Sequence, residues 1–123
     1  MDRLKGKTAI ISGGATGMGA ASARLFAAEG AAVGVIDRND AAGAALVADL
    51  VAGGHRAHFA RADVSSKPEV EAAVSAVTAA LGPANVLFNH AGTIVIKPFL
   101  ETEEADWVFL FDVNVKSMYL MTR

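Results

Sequence analysis

A chain of 123 residues, 53% hydrophobic and 20% charged, is long enough for one ordinary domain with a buried core and too apolar to stay disordered. Its net charge of −2, with 11 basic residues scattered singly, offers no basic face to nucleic acid. The absence of cysteine excludes disulfides and thiolate metal sites and fits a cytoplasmic protein, and no apolar run approaches the ~20 residues of a membrane span.

The start, Met1 to Ile11, has basic residues and then only Thr8 to Ile11 as an apolar stretch, too short for a secretion signal. Lys7–Ser12 reads as a first strand. Gly17–Glu29 reads as a helix with Ala20, Ala21, Leu25 and Ala28 on its packed side, ended by Gly30. Ala32–Asp37 is a continuous apolar strand ending in an acid. Asn39 caps a second helix that reaches about Ala52 and stops at Gly53-Gly54. Arg56–Ala60 is a third strand of weaker pattern. Ser66-Lys67-Pro68-Glu69 has the spacing of a capping box, and the helix behind it carries Val70, Val74, Val77 and Leu81 until Gly82-Pro83. Asn85–Asn89 is a fourth strand. A last helix is expected from near Thr102 to the end, apolar nearly all round and therefore expecting burial on more than one side. Strands alternating with helices of this length imply right-handed crossovers and a doubly wound α/β domain, its parallel sheet covered on both faces.

The first strand runs into Ser12-Gly13-Gly14-Ala15-Thr16-Gly17-Met18-Gly19, and a helix begins inside that run. Gly13 permits a sharp turn off the strand. Gly17 and Gly19 clear side chains where backbone approaches a pyrophosphate and helix packs on sheet, and the N–H groups of the first helical turn face the anion. The spacing is G-x-x-x-G-x-G rather than G-x-G-x-x-G, and the lack of Lys-Ser/Thr after Gly19 excludes a P-loop. Asp37, at the end of the second strand, stands where a carboxylate accepts from ribose hydroxyls. It would repel a 2′-phosphate: at ~4 Å and an effective dielectric of ~20, each unit of like charge costs about 4 kcal/mol. Neighbouring Arg38 argues weakly the other way. NAD is therefore expected over NADP.

Ser12-Gly13-x-x-x-Gly17-Met18-Gly19, Asp37, Asp63-Val64, Asn89-His90-Ala91-Gly92 and Asn114-Val115-Lys116-Ser117 together resemble the short-chain dehydrogenases/reductases in order and spacing. The resemblance covers all 123 residues. It implies a Rossmann-type, three-layer α/β/α domain over residues 1–123, a single NAD-binding domain that ends after the fourth strand and its following helix. It implies that Ser12, Gly13, Thr16, Gly17, Met18 and Gly19 serve the pyrophosphate side and that Asp37 and Arg38 border the adenosine ribose. Asp63 and Val64 flank adenine, and Asn89, Ala91 and Gly92 pass beneath the second ribose. Asn114 matches the helix asparagine of the family's catalytic set. His90 departs from the asparagine usual at its place.

By the same resemblance the reaction is hydride transfer between nicotinamide and an alcohol or carbonyl substrate. A tyrosine acts as acid or base, a lysine four residues on lowers that tyrosine's pKa, and an upstream serine steadies the substrate oxygen. These groups are expected beyond the last helix, so the 123 residues alone are expected to be inactive. Tyr119 with Arg123 is not that pair, because arginine is a poor substitute for a compact ammonium. A homo-oligomer joined through the last helix is also implied. A non-catalytic NAD-binding or assembly module is the alternative reading, and a sugar-nucleotide epimerase, which usually shows G-x-x-G-x-x-G, is a weaker one. His55 and His58 have metal-like spacing, but on a strand they point to opposite faces without a third ligand, so no metal is expected. Glu101, Glu103, Glu104 and Asp106 suit the first turn of a helix better than a cation.

Overall fold

The computed structural model describes residues 1–123. β1 (Thr8–Ser12) and β2 (Ala32–Asp37) carry β-branched and small apolar residues in unbroken runs, and their side chains are buried on both faces down to the half-buried Asp37. β3 (Ala57–Arg61) pairs with the outer edge of β2, and β4 (Val86–Asn89) with the outer edge of β1. All pairs are parallel, in the order β3-β2-β1-β4. The doubly wound arrangement expected from the sequence is therefore present.

Alternation along β1 sends its side chains into two cores. Ala9 and Ile11 join Val33 and Val35 under α1 (Gly17–Ala28) and α2 (Asp40–Ala52). Ile10 joins Ile36 on the opposite face, under α3 (Lys67–Leu81) and α5 (Ser117–Thr122). Each fully buried Ile or Val here contributes up to about 3 kcal/mol of apolar burial.

Several local expectations need correction. The buried face of α1 is Gly19, Ala23 and Ala27, while Ala21, Leu25 and Ala28 face solvent. The small residues let the helix lie close on the sheet, and the bulky leucine is left outside. Asn39 caps α2 as expected, its Oδ1 accepting from the Ala42 N–H at 3.1 Å. Ser66 makes no side-chain cap on α3. Glu69 reaches past it instead, pairing with Arg61 at 2.8 Å and accepting from the Asp63 N–H at 3.1 Å, because a guanidinium and a free N–H together outbid one cap.

The last helix starts at Glu104, near Thr102 as expected, after a short turn of 3₁₀ helix at Phe99–Glu101. Asp106 fixes that start by accepting from the Glu103 N–H at 3.0 Å. Lys97 pairs with Asp106, and that hydrogen bond, with the Glu103 N–H second, holds its carboxyl below the ordinary carboxylate range. α4 (Glu104–Phe111) passes through a wider, π-type turn over Asp112–Lys116 before α5. Only Ser117, Leu120 and Met121 of this length are buried, and Trp107 is 57% exposed.

Candidate functional site

The strand order reverses between β1 and β4: from β1 the chain moves outward to β2 and β3, then returns to the other side. Loops leaving the carboxyl ends of two such strands diverge and leave a crevice between them. Here that crevice is a cleft of about 310 Å³.

One wall is the glycine-rich turn. Gly13, at φ +66°, bonds through its N–H to the Ile36 carbonyl at 2.8 Å, pinning the turn to β2. A Cβ on Gly13 would stand 2.7 Å from the Ala91 Cα, so only glycine admits the loop after β4 this closely. A Cβ on Gly19 would overlap the Gly13 carbonyl oxygen. Gly13, Thr16, Gly17 and Met18 line the cleft. Gly19 is buried beneath them, and Ser12 is buried as well. The Ser12 Oγ accepts the N–H groups of His90 and Ala91, each at 3.2 Å, and so ties the ends of β1 and β4 together.

Asp37 lines the adjoining part of the cleft beside exposed Arg38. Its Oδ2 accepts from the Ala15 N–H at 3.1 Å and its Oδ1 from the Asn39 N–H at 2.9 Å. The carboxylate is thus fixed against the glycine turn, and each oxygen keeps a second lone pair for a ligand.

Asp63 and Val64 line the cleft as well. The hydroxyl and N–H of Ser65 donate to the Asp63 Oδ1 at 2.7 and 2.9 Å. These bonds, aided by the charges of Arg38 and Arg61, hold the Asp63 carboxyl below the ordinary range despite partial burial. Its Oδ2 has no partner within the chain.

Ala91 and Gly92 line the cleft directly beside the glycine turn. Asn89 does not line the cleft; it points toward α5, where its Nδ2 donates to the Thr122 Oγ1 at 3.4 Å. Asn114, on the π-type turn, is also outside the cleft lining. It clamps the loop after β4, its Oδ1 accepting from the Thr93 N–H at 2.7 Å and its Nδ2 donating to the Thr93 carbonyl at 3.0 Å. Tyr119 lies on α5 and does not reach the cleft.

Five lining residues have no cofactor role in the family pattern: Ala62, His90, Thr93, Phe109 and Val113. Phe109 and Val113 share the i, i+4 spacing of one helix face, a signal lost in a helix apolar on every side. Ala62 and Thr93 simply adjoin residues already singled out.

The sequence model of the short chain dehydrogenase family matches residues 7–123. The chain belongs to the short chain dehydrogenases. Cyclopentanol dehydrogenase of Comamonas testosteroni is 36% identical over 123 residues, which is 100% of this chain and 49% of that protein. The 3-beta-hydroxysteroid dehydrogenase of Comamonas testosteroni is 40% identical over 120 residues, 97% of this chain and 46% of that protein. Among solved structures, a short chain dehydrogenase/reductase from Burkholderia phymatum in complex with NAD superposes with a TM-score of 0.92 at 33% identity, over 100% of this chain and 44% of that one. A blue fluorescent protein from a metagenomic library, in complex with NADPH, gives 0.89 at 34% identity, over 96% and 49%. This short chain dehydrogenase chain therefore spans about half the length of the relatives it matches. No helix in it is long and apolar enough to cross a membrane.

Proposed function

We propose that the chain forms the cofactor-binding part of an NAD(H)-dependent short chain dehydrogenase that interconverts an alcohol and a carbonyl. The observation that carries this reading is the cleft at the β1/β4 reversal, with bare glycine backbone on one wall and a carboxylate held by the Ala15 N–H on the next. The residues fit a dinucleotide: Gly13, Gly17 and the first turn of α1 suit a pyrophosphate, Asp37 a ribose, and Asp63 with Val64 an adenine ring. When bound, the nicotinamide supplies or accepts hydride. The residues here bind and orient it, and Asn114 acts on the site by fixing the backbone of Thr93.

NAD is favoured over NADP because the Asp37 carboxylate, fixed against the glycine turn, would repel a 2′-phosphate on a ribose bound to it, and exposed Arg38 offsets only part of that repulsion. The catalytic groups of the full enzyme are proposed to be a serine that steadies the substrate oxygen and a Tyr-x-x-x-Lys pair whose tyrosine transfers the proton, not Tyr119 and Arg123. The exposed row of Trp107, Val108, Phe111 and Tyr119 calls for cover either by further chain or by a second copy joined through the last helix, and the cysteine-free composition fits the cytoplasm.

Titration of NADH and NADPH into the protein and into Asp37→Ala tests the cofactor assignment. The native protein is expected to bind NADH at least about tenfold tighter than NADPH, and the variant to lose that preference. A native preference for NADPH would overturn the role given to Asp37.

A further inference from the structure

We propose that His90 is a ligand of the bound dinucleotide's pyrophosphate and makes cofactor affinity pH-dependent, an inference that rests on reading the cleft as the dinucleotide site. His90 lines the cleft with Gly13, Thr16 and Gly17. Its ring lies against Gly19 in the first turn of α1: the Cδ2 is 2.9 Å from where a Cβ on Gly19 would stand, so the bare glycine is what seats the imidazole. That turn presents its N–H groups and the positive end of the helix dipole to an anion.

The ring is well placed by its surroundings. The His90 N–H bonds to the Ser12 Oγ at 3.2 Å, and the imidazole packs on Phe88 with centroids 5.2 Å apart. Neither ring nitrogen has a hydrogen-bond partner within the chain, and neither is buried. A side chain fixed in position with its polar atoms free is set up for an outside partner. Protonated imidazole is a donor at both nitrogens and an acceptor at neither, which suits a phosphate oxygen, and the neutral asparagine usual at this place in the family has no such charge. The charged side chains that share the cleft are Asp37, Arg38 and Asp63; α4 and the π-type turn contribute only apolar Phe109 and Val113. Carboxylates and guanidinium groups ordinarily titrate outside pH 6 to 8, whereas histidine changes charge within it.

The test is the dissociation constant of NADH at pH 6 and pH 8 for the protein, His90→Asn and His90→Gln, followed by nicotinamide fluorescence. ADP-ribose and adenosine serve as further probes. The native protein is expected to bind NADH about tenfold tighter at pH 6 than at pH 8, and both variants to show less than about a twofold change. ADP-ribose, whose pyrophosphate keeps its charge over this range, should behave like NADH. Adenosine, lacking phosphate, should bind all three proteins alike at both pH values. Equal pH dependence in native protein and variants overturns the role of His90 while leaving the cleft's assignment intact. A pH effect on adenosine as large as that on ADP-ribose overturns the pyrophosphate contact. No binding of NADH to the native protein at either pH overturns the reading of the cleft, and this inference with it.

Discussion

The β1–β2 centre of the sheet and the flank running from β4 to α5 draw on similar apolar residues but are packed differently. Every residue of Thr8–Ser12 is buried, whereas all of Val86–Asn89 is half-buried and α4 has no buried residue. Apolar character in a sequence states that a segment seeks cover; it does not say what supplies it. At the centre, α1, α2 and α3 supply it within the chain. On the flank, the row from Trp107 to Tyr119 stays open. The cleft lies on the seam, with a turn from the centre pinned by hydrogen bonds to β2 and, from the flank, a wall held mainly by side chains to backbone.

The sharpest way to break the contrast is at the seam itself. Gly13→Val places a β-branched side chain at positive φ against the Ala91 backbone, and is expected to destabilise the fold by more than about 3 kcal/mol and to abolish NADH binding. Urea unfolding and titration check both, and a variant that folds and binds normally would remove the cradle from the account.

Away from the seam, Val77→Ala in α3 empties a fully buried position against β2 and should cost about 2 kcal/mol, while Val108→Ala on the open face of α4 should stay within about 0.5 kcal/mol. Similar losses at the two valines, measured by denaturant midpoint, would erase the distinction between centre and flank. Asn114→Ala removes both bonds to Thr93 and should cost about 1 to 2 kcal/mol, with Asn114→Asp recovering only the half that accepts from the Thr93 N–H.

The smallest effect concerns acid. The Asp63 carboxyl is held below the ordinary range mainly by Ser65, so its contribution to stability is present above the unfolded carboxyl's pKa and is lost as pH falls through the folded one. Ser65→Ala should raise the Asp63 titration toward the ordinary value and shrink that acid-side loss. A carboxyl resonance titrating unchanged in the variant would reassign the cause to Arg38 and Arg61.

The order of elements was legible because glycines or prolines punctuate it: Gly30, Gly53-Gly54 and Gly82-Pro83 each end a helix. The face of α1 was not, since counting hydrophobic residues favours Leu25 while close packing on a sheet favours Ala23 and Ala27. The Ser66 capping box failed because sequence spacing cannot show that Arg61, on another element, competes for Glu69. The π-type turn was hidden by a helix without a polar face to reveal its phase. In the site, glycines and carboxylates marked themselves by residue type. His90 stood out only as a departure from a pattern, and its seat on Gly19 needed the third dimension.

The bare turn between β1 and α1 is proposed to cradle a pyrophosphate while Asp37 holds the adenosine ribose. A structure of the protein with NADH tests it most directly. Phosphate oxygens are expected within hydrogen-bond reach of the Gly17–Gly19 backbone, and ribose hydroxyls on the Asp37 carboxylate. A dinucleotide bound elsewhere, or lying in the cleft with its ribose away from Asp37, would contradict it.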